Sequence, residues 1–294
     1  MSSALEGLLA LLDLEQLELN LFRGHSPAEQ RQRVFGGQVA AQALVATSRT
    51  VEDERPVHSL HAYFLRPGDP RVPIVFEVDR IRDGRSFTTR RTVAIQHGEV
   101  IFSLAASFQK HESGPEHSMP FPDVPAPEEL PTYQDRMAPY AERYGKVFAD
   151  WMLRELPIDS RPTQVPPWLD PTPRPPEQDV WIKTNGTLPD DPVLHQCVLA
   201  YASDLTLLDT AMLPHAVDAR DNDYLMASLD HAMWFHRPFR VDEWLLYHQR
   251  SPSASNARGL AAGTVFTRDG AMVATVMQEG LIRTTPHVPK ILPG

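Results

Sequence analysis

The chain has one cysteine, Cys197, in 294 residues, so no disulfide can form within it. A reducing compartment is the simplest reading. Cys197 has no distinctive nucleophile context and is expected as a small core residue. No apolar run approaches the length of a membrane span. Positive charge is also scarce: 28 Lys and Arg stand against 38 Asp and Glu, a formal balance of −10. That balance argues against nucleic-acid or anionic-membrane binding, yet a local basic patch could still hold a small polyanion. Residues 1–23 alternate leucine with Glu6, Asp13, Glu15 and Glu18, which predicts an acidic amphipathic helix and no signal peptide. The end of the chain carries no peroxisomal tripeptide, so a cytoplasmic protein is expected. Paired CxxC, HExxH, Walker and dinucleotide-binding patterns are missing, and His231 and His236 fall on opposite faces of a strand. Neither metal nor cofactor is expected.

What the chain does have is proline, unevenly placed. Of its 28 prolines, 16 fall between His111 and Asp190, which predicts an extended surface connection with a helix near Tyr133 to Leu153. The predicted organisation is a unit over residues 1–110, a proline-rich crossing over 111–155, and a second unit over 156–294.

The two units say the same thing twice. Phe64-Leu65-Arg66-Pro67 answers Phe235-His236-Arg237-Pro238 at an offset of 237 − 66 = 171. His97-Gly98 answers Asp269-Gly270 at 270 − 98 = 172, and the runs that follow both alternate as strands. An apolar helix precedes each block, one starting at Gly36-Gly37-Gln38 and one at Asp190-Asp191-Pro192. Segments 74–81, 90–96 and 100–108 read as antiparallel strands. Each unit is then a helix followed by a strand meander, an α+β arrangement in which a curved sheet wraps its helix.

The copies differ in their inward polar groups. The first helix, Gly36 to Thr50, has no acid, whereas the second carries Asp204 beside Ala200, Tyr201, Leu207 and Leu208. Gln278 interrupts the face formed by Met272, Ala274, Val276 and Ile282, where the first copy has Ala106. Taken singly, Asp204 reads equally as a surface acid and Gln278 as an amide satisfied by backbone. Structural need would act on both copies alike, so the asymmetry favours function. Ser228, at the predicted start of the next strand, supplies a nearby hydroxyl without the elbow of a nucleophilic serine.

The segments Val34-Phe35-Gly36-Gly37-Gln38, His58 to Gly68, Arg82 to Phe87, Tyr201-Ala202-Ser203-Asp204, Leu229 to Pro238, Ser253 to Gly259 and Gln278-Glu279-Gly280 resemble the bacterial acyl-CoA thioesterase II family, in family order over nearly the whole chain. The resemblance implies a double hotdog fold and hydrolysis of fatty acyl-CoA to free fatty acid and CoA. It implies Asp204, Ser228 and Gln278 as the catalytic trio, with serine where the family usually has threonine. It also implies a homodimer or homotetramer. A carboxylate base suits thioester hydrolysis, because the thiolate leaves with a pKa of roughly 8.5 and needs no strong acid. The amides of Gly36, Gly37 and Gln38 offer oxyanion donors, and Arg85 and Arg90 could meet CoA phosphates or form a solvated strand edge. His58 is a tempting base, though one of 12 histidines. An enoyl-CoA hydratase and a non-catalytic acyl-CoA binding module are the rival readings.

Overall fold

The computed structural model describes residues 2–27, 32–52, 54–144, 149–150, 153–167, 169–170, 172–215 and 224–284. Helix α1 (Ser3–Leu12) starts where the Ser2 hydroxyl accepts the Leu5 amide, and it buries Leu5, Leu8 and Leu12 at helical spacing. It stops at Asp13. The acidic helix predicted through residue 23 gives way to strands β1 (Glu15–Glu18) and β2 (Leu21–Gly24), which pair as a hairpin. The physical reason is a change of period: after Leu14 the apolar residues no longer step by three and four, and Leu17 and Leu19 lie exposed.

The first unit continues with α2 (Gly36–Ser48) and strands β3 (Val57–Phe64), β4 (Ile74–Asp83), β5 (Phe87–Gln96) and β6 (Glu99–Gln109). Strand β6 buries Phe102, Leu104, Ala106 and Phe108 on one face, as its alternation predicts. Val100 is only half-buried, because the ladder with β5 shifts register between Ala94 and Ile95.

Past β6 come α3 (Tyr133–Tyr144), β7 (Ile158–Pro162) and β8 (Glu177–Thr184). The proline-rich crossing is therefore more than an extended connection. Pro157 and Pro176 flank strands, Pro162 ends one and Pro139 lies inside α3, leaving Glu177 to Thr184 proline-free and able to pair with β11 (Leu245–Ser255). The crossing also covers apolar surface: Phe121 sits edge-on to Phe266 at 5.6 Å, and Trp181 donates its indole N–H to the Pro125 carbonyl.

The second unit holds α4 (Pro192–Ser203), β9 (Tyr224–Ser228), β10 (Asp230–Phe235), β11, β12 (Arg258–Thr267) and β13 (Met272–Thr284). Asp191 starts α4 by accepting the amides of Val193 and Leu194, with Pro192 at the first helical position.

Among the described residues all strands join one 13-stranded sheet in the order β1-β2-β4-β5-β6-β3-β10-β13-β12-β11-β8-β7, with β9 paired to β13. The order mirrors itself about the β3–β10 junction. There His61 pairs with Ala232, and 232 − 61 = 171, the offset of the sequence repeat. At this one pair a residue faces its own counterpart, which marks a pseudo-twofold axis there. Helix α2 is buried along residues 37–47, wrapped by its strands and packed on α4, and alanines 40, 41, 43 and 46 permit that closeness. Among the described residues no helix is long and apolar enough to cross a membrane.

Candidate active site

Asp204 is the C-cap of α4, where its charge meets the negative end of its own helix. The first turn of α2 offsets this. Phe35, the N-cap of α2, makes no side-chain cap, and the Gly37 amide donates to the Asp204 carboxylate instead. Asp204 therefore caps the opposite helix from outside. Two glycines permit the approach. A Cβ at residue 36 would stand 2.8 Å from Asp204 Oδ2, and one at residue 37 would stand 2.6 Å from the Tyr201 carbonyl.

Gln278 comes from the inward face of β13 and is fully buried. Its Nε2 donates to Asp204 Oδ1 at 2.5 Å and to Ser228 Oγ at 3.1 Å. The Ser228 hydroxyl donates to the same Oδ1 at 3.3 Å. An ionised carboxylate only accepts, so the amide's NH₂ end must face it. Gln278 Oε1 is buried and has no hydrogen-bond partner among the described residues.

Ser228 closes β9; it does not open the following strand as predicted. Strand β13 is long enough to pair with β9 through Gly280 and Ser228 and with β10 through Met277 and Ala232, so Ser228 falls at the break between the two. That break turns its side chain toward Asp204.

Burial pushes the Asp204 carboxyl up to about 6, against the pull of the bonds from Gln278, Gly37 and Ser228. A second carboxylate, Asp209, lies on the 3₁₀ turn Leu208–His215. Burial and then the charge of Asp204 push it up to about 7. Asp209 was not singled out from the sequence. Its one signal there is spacing: a second acid five residues after the first, in an otherwise apolar stretch.

A family profile described as acyl-CoA thioesterase matches residues 155–281, and one described as acyl-CoA thioesterase N-terminal domain matches residues 25–109. Acyl-CoA thioesterase 2 of Haemophilus influenzae is 40% identical over 283 residues, covering 96% of this chain and 99% of its own. The chain belongs to the acyl-CoA thioesterase family. Acyl-coenzyme A thioesterase 8 of Rattus norvegicus is 41% identical over 288 residues, covering 95% of this chain and 89% of that one. The crystal structure of acyl-CoA thioesterase II TesB2 from Mycobacterium marinum superposes with a TM-score of 0.77 at 48% identity, covering 95% and 98% of the two chains. The architecture of this thioesterase is the double hotdog.

The other predicted binding residues of this thioesterase scatter. Gly36 and Gly37 adjoin Asp204, and the Gly37 amide donates to that carboxylate. The Gln38 side chain donates to the His25 carbonyl and Ser26 hydroxyl, while its backbone amide, the group expected as an oxyanion donor, lies in the first turn of α2 next to that of Gly37. Arg90 cannot meet CoA phosphates. It is 2% exposed and spends its guanidinium on Thr50, the Arg82 carbonyl and Asp83. Arg85 is exposed at the β4–β5 turn, away from the elements that carry the trio. His58 lies on β3 and contacts Ser107, outside the trio. Among the described residues no group of His, Cys, Asp and Glu is arranged to hold a metal.

Proposed function

We propose that this chain hydrolyses fatty acyl-CoA to free fatty acid and CoA through a water held and deprotonated by Asp204. The observation that carries this reading is convergence: Asp204 Oδ1 receives both the Ser228 hydroxyl and the Gln278 amide, while glycine at position 36 puts no side chain where a Cβ would stand 2.8 Å from Oδ2. Two donors on one oxygen fix the carboxylate's orientation, and the second oxygen faces the reacting water. Gln278 Oε1 accepts a hydrogen bond from the water's other O–H, which stays on the attacking oxygen.

The water oxygen adds to the thioester carbon and Asp204 takes its proton. The tetrahedral intermediate collapses, the C–S bond breaks, and the proton passes to the departing sulfur. A raised carboxyl pKa suits a base working near neutral pH. Serine in place of threonine keeps the hydroxyl donor and loses a methyl group. The α2 start contributes its positive dipole end and the Gly37 amide.

The hydratase reading wants a histidine beside the acid. His195 sits near the far end of α4, where its Nδ1 accepts the Val241 amide. We place the enzyme in the cytoplasm and expect it to assemble as a homodimer or homotetramer. A panel of acyl-CoAs assayed with a thiol reagent tests the activity. Thiol release supports hydrolysis; loss of enoyl absorbance without thiol release would point to the hydratase, and binding alone to a module without chemistry.

A further inference from the structure

Asp204 is carried by backbone that has left its helix: α4 ends at Ser203, and the following residues form a turn before the 3₁₀ segment Leu208–His215. Such backbone drifts unless its flanks are held. Both flanks are held by buried side chains. Before Asp204, the Ser203 carbonyl accepts the Tyr247 hydroxyl at 3.2 Å, and Ser203 Oγ lies 2.9 Å from His231 Nε2. After Asp204, the Thr206 hydroxyl accepts Gln249 Nε2 at 2.7 Å, and the Thr206 carbonyl accepts Gln178 Nε2 at 3.1 Å. Gln178 also donates to Gln249 Oε1 at 2.9 Å, directly across the β8–β11 ladder. Tyr247 and Gln249 are two residues apart on β11 and so share its inward face.

The first half shows what the scaffold alone requires at these places. At the offset of 171, Tyr247 answers Phe76 (247 − 76), Gln249 answers Val78 (249 − 78) and His231 answers Leu60 (231 − 60). The ladders agree: Tyr247 pairs with Val265 and Phe76 with Ala94, and 265 − 94 = 171. Phe76, Val78 and Leu60 are all buried and apolar. The fold is satisfied without polar groups there, and buried polar groups cost stability unless fully bonded. They occur only in the copy that carries Asp204. Tyr247 even has a dedicated seat: a Cβ at Gly263 would collide with its ring.

We infer that Tyr247 and Gln249 are positioning residues, clamping Ser203 and Thr206 on either side of Asp204 and so aiming its carboxylate at the reacting water. This rests on Asp204 being the base. The titratable groups that face Asp204 among the described residues are Asp209 on the 3₁₀ turn and Tyr247 on β11, and the tyrosine stays neutral.

The test swaps in the first-half residues, Tyr247→Phe and Gln249→Val, with Asp204→Asn alongside, each assayed for melting, kcat, KM and the acid limb of kcat. Both positioning variants are expected to melt as folded proteins, with KM within about twofold and kcat lower by roughly tenfold. That is below the ~10²-fold that a 1 Å misplacement can cost. The acid limb moves to higher pH, because a misaimed carboxylate loses the bonds that favour its charged form. Folded variants with kcat within about twofold of wild type overturn the clamp. So does a fall in kcat that tracks a lost melting transition with the acid limb unmoved. Retained turnover in Asp204→Asn is a separate outcome: it removes the base and leaves nothing for a clamp to aim.

Discussion

The Gly37 amide, in the first turn of α2, donates to the carboxylate of Asp204 at the end of α4, so the acid of one half caps the helix of the other. Neither half holds the site alone. The carboxylate, hydroxyl and amide come from the second copy, while the glycines that admit the carboxylate come from the first.

Gly36→Ala separates space from stability. Alanine favours a helix over glycine by about 1 kcal/mol, yet its Cβ would stand 2.8 Å from Asp204 Oδ2 and 2.9 Å from the Phe64 ring. Turnover should fall by at least about tenfold while the protein stays folded. Gly7→Ala, whose Cβ meets nothing within 4 Å, is the control and should leave turnover unchanged. Steady-state kinetics on the two variants checks this.

Asp209→Asn should leave the acid limb of kcat/KM close to that of wild type. Asp209 titrates above Asp204, so it is still neutral while Asp204 ionises and places no charge beside it. A pH–rate profile measures the limb; a shift to lower pH would mean that the two carboxyls titrate in the opposite order.

The same carboxyls set a pH trend in stability. Both have folded-state values, about 6 and about 7, above the ordinary value of 3.8, so the native state takes up protons as pH falls through that window. Their contribution therefore lowers stability above about pH 7 and fades toward pH 4. Asp209→Asn should melt higher than wild type at pH 8, with the gap closing by pH 4. Thermal melts at the two pH values decide it.

Gln278→Glu replaces the NH₂ donor 2.5 Å from Asp204 with a second carboxylate. Like charges that close cannot both ionise, so one pKa rises steeply. Turnover at pH 7 should drop by ~10²-fold or more, the scale of a lost general base. Turnover near wild type would mean that the amide has no part in holding Asp204.

Much of this was legible in the sequence. The repeat offset of 171 reappears as the pairing of His61 with Ala232, and the imbalance between the halves pointed to Asp204 and Gln278. What sequence alone did not carry was distance across the chain. Arg90 looked like part of a phosphate-binding cluster because its neighbours in sequence are basic, but its guanidinium folds inward onto Thr50 and Asp83. Nothing along the chain says either that the Gly37 amide meets Asp204 of the other half. The β1–β2 hairpin and strands β7 and β8 were masked by leucine-rich and proline-rich composition.

The most direct measurement is CoA thiol release by Asp204→Asn, with a non-hydrolysable acyl-CoA titrated in parallel. If Asp204 is the base, kcat falls by at least ~10²-fold and the analogue still binds within a few-fold of wild type. Near-normal thiol release from a folded Asp204→Asn protein would contradict the mechanism.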